Sequence, residues 1–300
     1  YLAPTFYSHG NGNFRDVLQN RRCDLYFNPL LKTANIKTFA SLIQPDGFNP
    51  LVIKGTKYYL AEQSAKELAL SYVPAKDRAK LEQVLSEPFF PGSIATLLTE
   101  EEIKLSIPLP DFLSLLMKNA VSWPVADFGE GFWIDHWTYL LDLIESYLGV
   151  YPDELFALLW MDQTYTFYDS YVKVKPRRKK YVLTAAGPRQ TEAVTVNLAK
   201  KKLISERKSF PTAVRVRNGQ GEIYQTNLFV ILFTLVLNKL SSLDPHGVGL
   251  EMEAGKPGWY DALNGLPGLF GSSTPETMEL LRLSRFMYKA LAQLATGQSP

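Results

Sequence analysis

The sequence predicts a mainly α fold, a helical toroid with a small β-containing excursion around residues 172–225. Three observations predict it. Apolar residues recur at helical spacing through most of the chain. Three glycine-rich stretches interrupt those helices, each with a carboxylate (Asp16, Asp135, Asp261) and with a histidine in or beside it (His9, His136, His246). Only the stretch from Val172 to Leu198 is strongly β-prone and basic. Three such loops between helices suggest one rim of a toroid around a polar pit. The 300 residues, 46% of them hydrophobic, are ample for a sizeable core, in one large domain or two small ones, and the toroid reading takes them as a single helical catalytic-barrel domain, 1–300.

Taken in order, His9 to Arg22 is a polar, glycine-containing run whose Phe14, Val17 and Leu18 have i, i+3, i+4 spacing. It reads as a loop entering a helix, with Arg15 and Asp16 at the helix start. Turn signals at Pro29, Asp46-Gly47 and Asn49-Pro50 surround Leu51-Val52-Ile53, a short strand or hairpin ending at Gly55. Helices follow at Glu62–Ser71 and Ala75–Leu85. Thr99 with Glu102 three residues later is a capping-type helix start, and Asp111 is the expected N-cap of Phe112–Ala120. The block Asp127 to Tyr139 opens on a glycine loop and enters a helix through Leu140, Leu141, Ile144 and Leu148, so Trp133, Asp135, His136 and Trp137 gather at a helix N-terminus, where free N–H groups and the helix dipole favour anions. Core packing is the plain alternative for the two tryptophans, as a structural role is for His136. A further helix runs from Leu155 to Met161. Within 172–198, Arg177, Arg178, Lys179 and Lys180 form a charge cluster, read as a solvated face, with phosphate binding as the alternative. Thr226–Leu243 is a strongly apolar helix, and Glu276–Leu294 closes the chain, capped by Thr274 with Pro275 at its first position.

Between the last two helices lies Gly255 to Gly268, with four glycines and two prolines in fourteen residues, a composition that rules out regular helix or strand. It sets Asp261 beside Trp259 and Tyr260, with Glu251 and Glu253 just upstream. Aromatic faces next to an acid suit a sugar, whose ring stacks while the acid handles a proton.

Composition narrows the classes. Net charge is +2, which gives no pointer to nucleic acid or to a membrane surface, and neither is expected as a partner. The longest apolar run, Leu228 to Leu237, is short of the roughly 20 residues of a membrane span. The single cysteine, Cys23, excludes an internal disulfide and fits a reducing, cytoplasmic setting. The chain opens on Tyr1 without a basic n-region or apolar h-region, which reads as a fragment or a processed chain. Histidines are scattered, with no HExxH or CxxC spacing, and no GxGxxG or P-loop is present; no metal or cofactor is expected.

The ordered set Phe14-Arg15-Asp16-Val17-Leu18-Gln19, then Trp133-Ile134-Asp135-His136-Trp137, then Trp259-Tyr260-Asp261-Ala262-Leu263-Asn264 resembles the inverting glycoside phosphorylases of the cellobiose phosphorylase type, whose motifs read roughly FRDxLQD, SDDxxWL and DWNDGMN in that order. The longer runs GNGNFRDVLQN, GEGFWIDHWTY and GKPGWYDALNGLPGLFGSS look closer to a branch of cellobiose phosphorylase-like proteins. The resemblance implies an (α/α)6 barrel of the six-hairpin glycosidase type, incomplete within this chain. It implies phosphorolysis of a β-linked gluco-oligosaccharide with inversion, inorganic phosphate being co-substrate and nucleophile. Asp261 then protonates the glycosidic oxygen, Trp259 lines the sugar subsite, and Arg15 and Asp16 hold sugar hydroxyls. Gln19, Trp133, Asp135, His136, Trp137, Tyr260 and Asn264 complete the expected substrate-binding set. The sequence departs from the family pattern at Asn20, where Asp is common, and at Gly258 and Tyr260, where the family has Asp and Asn.

Two other readings stay open. An inverting hydrolase would need a second carboxylate to activate water, with Glu251, Glu253, Asp135 and Glu276 as candidates. A carbohydrate-binding fragment would hold sugar without turnover. Oligomeric state is not legible in the sequence.

Overall fold

The computed structural model describes residues 12–133, 136–179, 181–191, 194–244, 246–251 and 272–296. In chain order the elements are β1 (Gly12–Asn13), α1 (Phe14–Asn20), α2 (Asp24–Phe27), α3 (Ala34–Ala40), β2 (Asn49–Tyr59), α4 (Gln63–Ser71), α5 (Arg78–Leu85), α6 (Pro91–Glu100), α7 (Leu109–Lys118), β3 (Val121–Trp133), α8 (His136–Val150), β4 (Val172–Val174), β5 (Tyr181–Thr184), β6 (Gly187–Gln190), β7 (Val194–Val196), α9 (Leu198–Ser205), the single turn α10 (Val216–Gly219), α11 (Leu228–Leu240), β8 (Leu250–Glu251), β9 (Ser272–Ser273) and α12 (Thr274–Thr296). The sheets are small: β1-β2-β3, β4-β7, β5-β6 and β8-β9.

The described chain divides into two compact units, one of residues 54–125 with 204–211, the other of residues 12–53, 126–203 and 212–296. Each has its own apolar core. The smaller unit follows a simple rule. Each of its four helices buries one i, i+4 pair: Ala65 and Ala69, Leu81 and Leu85, Ile94 and Leu98, Phe112 and Leu116. Residues four apart share a helix face, so four short amphipathic helices close around one centre. Phe89 joins that core and exchanges both backbone hydrogen bonds with Tyr58 at 2.9 Å.

The larger unit is built on longer stripes. Trp137, Leu140, Leu141 and Ile144 are buried along α8; Leu228, Ile231, Leu232, Leu235 and Val236 along α11; Leu280, Leu283, Met287 and Ala290 along α12. Helix starts are held by side chains. Asn13 Oδ1 accepts from the Arg15 N–H at 3.0 Å, and Asn227 Oδ1 accepts from the Val230 N–H at 3.0 Å, each satisfying a donor that the first turn leaves over.

Cross-links at successive heights set the direction of these helices. Arg22, just after α1, donates to Asp142 of α8 at 2.9 Å and lies 5.5 Å from the Tyr139 ring centre. Further on, the Tyr26 hydroxyl lies beside Gly149, and the Tyr151 hydroxyl donates to the Pro29 carbonyl at 3.0 Å. The rising numbers on both sides mean that the α1–α2 segment runs parallel to α8. The α8–α12 pair behaves alike. Near its start Lys239 of α11 touches both Trp137 and Glu276, and a level higher Arg282 donates to Asp142 at 2.8 Å and to Glu145. Helices α1, α8 and α12 therefore run in one direction, N-termini at one end of the unit. Helix α11 runs against them. Its first turn lies far from Lys239, where Phe229 stacks on Trp160 at 5.2 Å.

The (α/α)6 toroid is overturned among the described residues. A toroid alternates antiparallel helices of similar length around one axis. Here two separate cores exist, only α8, α11 and α12 exceed ten residues, and the long strands β2 and β3 interrupt the helical order. Prolines explain part of the shortening: Pro91 and Pro108 sit at helix starts, where a missing N–H is tolerated. Strands take the rest. The expected glycine loop at 127–133 is the second half of β3, because pairing within the sheet outweighs the entropic cost of Gly129 and Gly131. The expected helix start at Thr99 is the last turn of α6, with the Thr99 hydroxyl on the Ala95 carbonyl at 2.9 Å; Glu102, at φ 50°, lies beyond the helix end. Around Leu155–Met161 the helix widens to a π turn at Ala157–Met161. The last helix begins at Thr274, and Ser273 Oγ accepts from the Glu276 N–H at 3.4 Å.

Asp142 takes both Arg22 and Arg282 and is only 20% exposed. Arg282 is held above the usual guanidinium range because its bonds to Glu145 and Asp142 outweigh the opposing effect of burial. Asp142→Ala is expected to lower urea-unfolding stability by about 2 kcal/mol; a loss under about 0.5 kcal/mol would mean a merely solvated pair. Burial also lifts the phenols of Tyr165 and Tyr168 well above their ordinary value. The unfolded chain releases these protons near pH 10, so their contribution is full below that pH and is lost as pH rises further. The urea midpoint should fall between about pH 9 and about pH 11, and less so in Tyr168→Phe.

Candidate functional site

The end of the larger unit at which α1, α8 and α12 begin collects the described parts of the three sequence motifs. On α1, Arg15 is 5% exposed, and its Nε donates to Asp16 Oδ1 at 3.0 Å. The Asp16 carboxylate is 53% exposed. A buried guanidinium thus fixes an outward-facing carboxylate, a geometry that holds an acceptor ready for hydroxyl donors. Gln19 follows one turn later, half-buried.

Trp133 closes β3 and His136 opens α8. Trp137 is 1% exposed, and its Nε1–H has no acceptor among the described residues. Such a donor costs about 1–3 kcal/mol when left unmet. Core packing, the plain reading of Trp137, is what its burial shows. The ring also has a second role: Lys239 Nζ lies 5.4 Å from its centre, close enough for cation–π attraction. The same ammonium is 3.0 Å from Glu276 Oε2, and both side chains are largely buried, at 10% and 15% exposure. Three helices meet in this cluster: Trp137 from the start of α8, Glu276 from the start of α12, Lys239 from the end of α11.

Sequence reasoning missed Lys239, near the end of the apolar helix at 226–243. A signal existed. Leu228, Leu232 and Leu235 trace the buried stripe of α11, and position 239 continues it at i+4. A lysine in register with a buried stripe requires a carboxylate partner, and Glu276, at a helix start where negative charge is favoured, supplies it.

The third motif is described only at its edges. Strand β8 pairs with β9, Leu250 opposite Ser273 and Glu251 opposite Ser272. The pair is fastened to the first turn of α12: the Leu250 N–H donates to Thr277 Oγ1 at 3.0 Å, and that hydroxyl donates to the Ser273 carbonyl at 2.7 Å. Glu253, Trp259, Tyr260, Asp261 and Asn264 lie outside the described residues, as does Asp135. Among the described residues no group of His, Cys, Asp and Glu is arranged to hold a metal ion, and no helix is long and apolar enough to cross a membrane.

Removing Lys239 strands a buried carboxylate, whereas removing both charges does not. Lys239→Met is expected to lower unfolding free energy by about 3 kcal/mol, and Lys239→Met/Glu276→Met should recover more than half of that loss. Equal losses in the single and double variants would show that the ammonium acts through its packing alone.

No protein-family description matches the chain, and no curated protein is detectably similar to it.

Proposed function

We propose that the protein is a carbohydrate-active enzyme that cleaves a β-linked gluco-oligosaccharide with inorganic phosphate and inverts the anomeric centre. The observation that carries the proposal is the parallel course of α1, α8 and α12, whose N-termini, each belonging to one of the three sequence motifs, lie at the same end of one unit. The toroid is not needed. What the chemistry needs is that a sugar-holding carboxylate, an acid and an anion-receptive surface occur together.

The roles follow from the residues. Asp16, exposed and fixed by Arg15, accepts from sugar hydroxyls; buried Arg15 acts through it. Trp259 offers a ring face to the sugar. Asp261 gives its proton to the glycosidic oxygen as that bond breaks, and a phosphate oxygen forms the new bond to the anomeric carbon from the opposite face. Phosphate arrives already anionic and requires no general base, so one carboxylate suffices. Three helix N-termini at one end favour an anion there.

Hydrolysis would add a second carboxylate, about 6.5–9.5 Å from the first, to activate water. Of the candidates, Glu276 is engaged with Lys239, which sets it aside as that base. The lone thiol, Cys23, which is exposed, is consistent with a cytoplasmic setting.

The test is sugar-1-phosphate formation from gluco-oligosaccharides with and without phosphate. Asp261→Asn is expected to lower turnover by about 100-fold or more while calorimetric sugar binding persists. A variant with wild-type turnover, or a rate indifferent to phosphate, contradicts the proposal.

A further inference from the structure

The net charge of +2 conceals a segregation. Residues 172–203 hold ten Lys and Arg against one Glu, a balance of +9, while the remaining residues hold 22 against 29, a balance of −7. The basic stretch is also a distinct structural piece, a pair of nested hairpins within the larger unit. Strand β4 pairs with β7 through Val172↔Val196 and Val174↔Val194, and inside it β5 pairs with β6 through Tyr181↔Gln190 and Thr184↔Gly187.

The inner hairpin has an unusual end. Residues 182–188 carry no charge. Leu183 is 86% exposed and Val182 46%, and Ala185, Ala186 and Pro188 are exposed beside them. The one hydroxyl there is used within the turn: Thr184 Oγ1 donates to the Gly187 carbonyl at 2.7 Å. Toward the base, Lys173, Arg178, Lys179 and Arg189 are exposed and make no ion pair among the described residues. An aliphatic tip with a cationic collar is thus presented to solvent.

We propose that this hairpin is a docking device for an anionic lipid surface. Both halves of the device fit that partner. The tip, with Leu183 foremost, enters the interfacial zone, where apolar burial is favourable. The collar meets negative headgroups, and the long stems of Lys and Arg reach them from β4, β6 and the 3-10 turn at Arg177–Lys179. Nucleic acid fits less well, because 182–188 offers no aromatic ring to stack on a base. The attachment is peripheral and does not depend on the sugar chemistry proposed above.

Vesicle flotation of the full chain tests it, using phosphatidylcholine alone and phosphatidylcholine with phosphatidylserine at about 7:3. The protein should float with the anionic vesicles only, and release as salt is raised. Arg178→Glu/Lys179→Glu/Arg189→Glu should weaken binding by at least about tenfold, and Leu183→Asp should do the same. Because these positions are exposed, circular dichroism should be unchanged in each variant. As a direct readout, Leu183→Trp should show blue-shifted emission on the anionic vesicles. No flotation at low salt would overturn the inference, as would full binding by Leu183→Asp, or duplex DNA binding that survives that substitution.

Discussion

One carboxylate fixes the register of the larger unit. Asp142, near the middle of α8, accepts Arg22 on one oxygen at 2.9 Å and Arg282 on the other at 2.8 Å. Each arginine belongs to a different segment, so a single residue ties α1 and α12 to α8 at one height. A one-turn slip of either helix would move its arginine by about 5.4 Å and break the contact. Apolar stripes alone tolerate such slips, since residues three and four apart fill the same face; the charge contact does not. The common direction of the three helices, and with it the gathering of their N-termini, depends on this clamp.

At the gathered end a second charge contact does related work. Lys239 reaches from the oppositely directed α11 to Glu276 while lying over Trp137. The pair joins the end of one helix to the start of another, where the two dipoles favour the signs present. Thr277, one residue beyond Glu276, fastens β8 to the helix.

Local signals were read well where local physics decides. The helices at Gln63–Ser71 and Arg78–Leu85, and the apolar α11, lie within a few residues of where periodicity puts them. Arg15 and Asp16 do stand at the start of α1. Long-range physics was not legible. Nothing near Gly129 and Gly131 announces that a strand partner will hold them extended, and Thr99 with Glu102 carries the pattern of a helix start although Pro91 has already begun that helix. The toroid failed for the same reason: three loops of similar composition say that helices intervene, not how the helices are ordered in space. The basic character of 172–198 was legible in its cluster from Arg177 to Lys180; the acidic balance of the remainder was not, since a net value averages the two.

Helices α1, α8 and α12 start at the same end. Spin-label distances test it most directly, with Cys23 replaced by Ser and labels placed on exposed positions 16 and 278 in one sample and 16 and 294 in another. The pair 16–278 should be the shorter, by a large part of the roughly 24 Å that sixteen helical residues span. Equal distances, or a shorter 16–294, would contradict it.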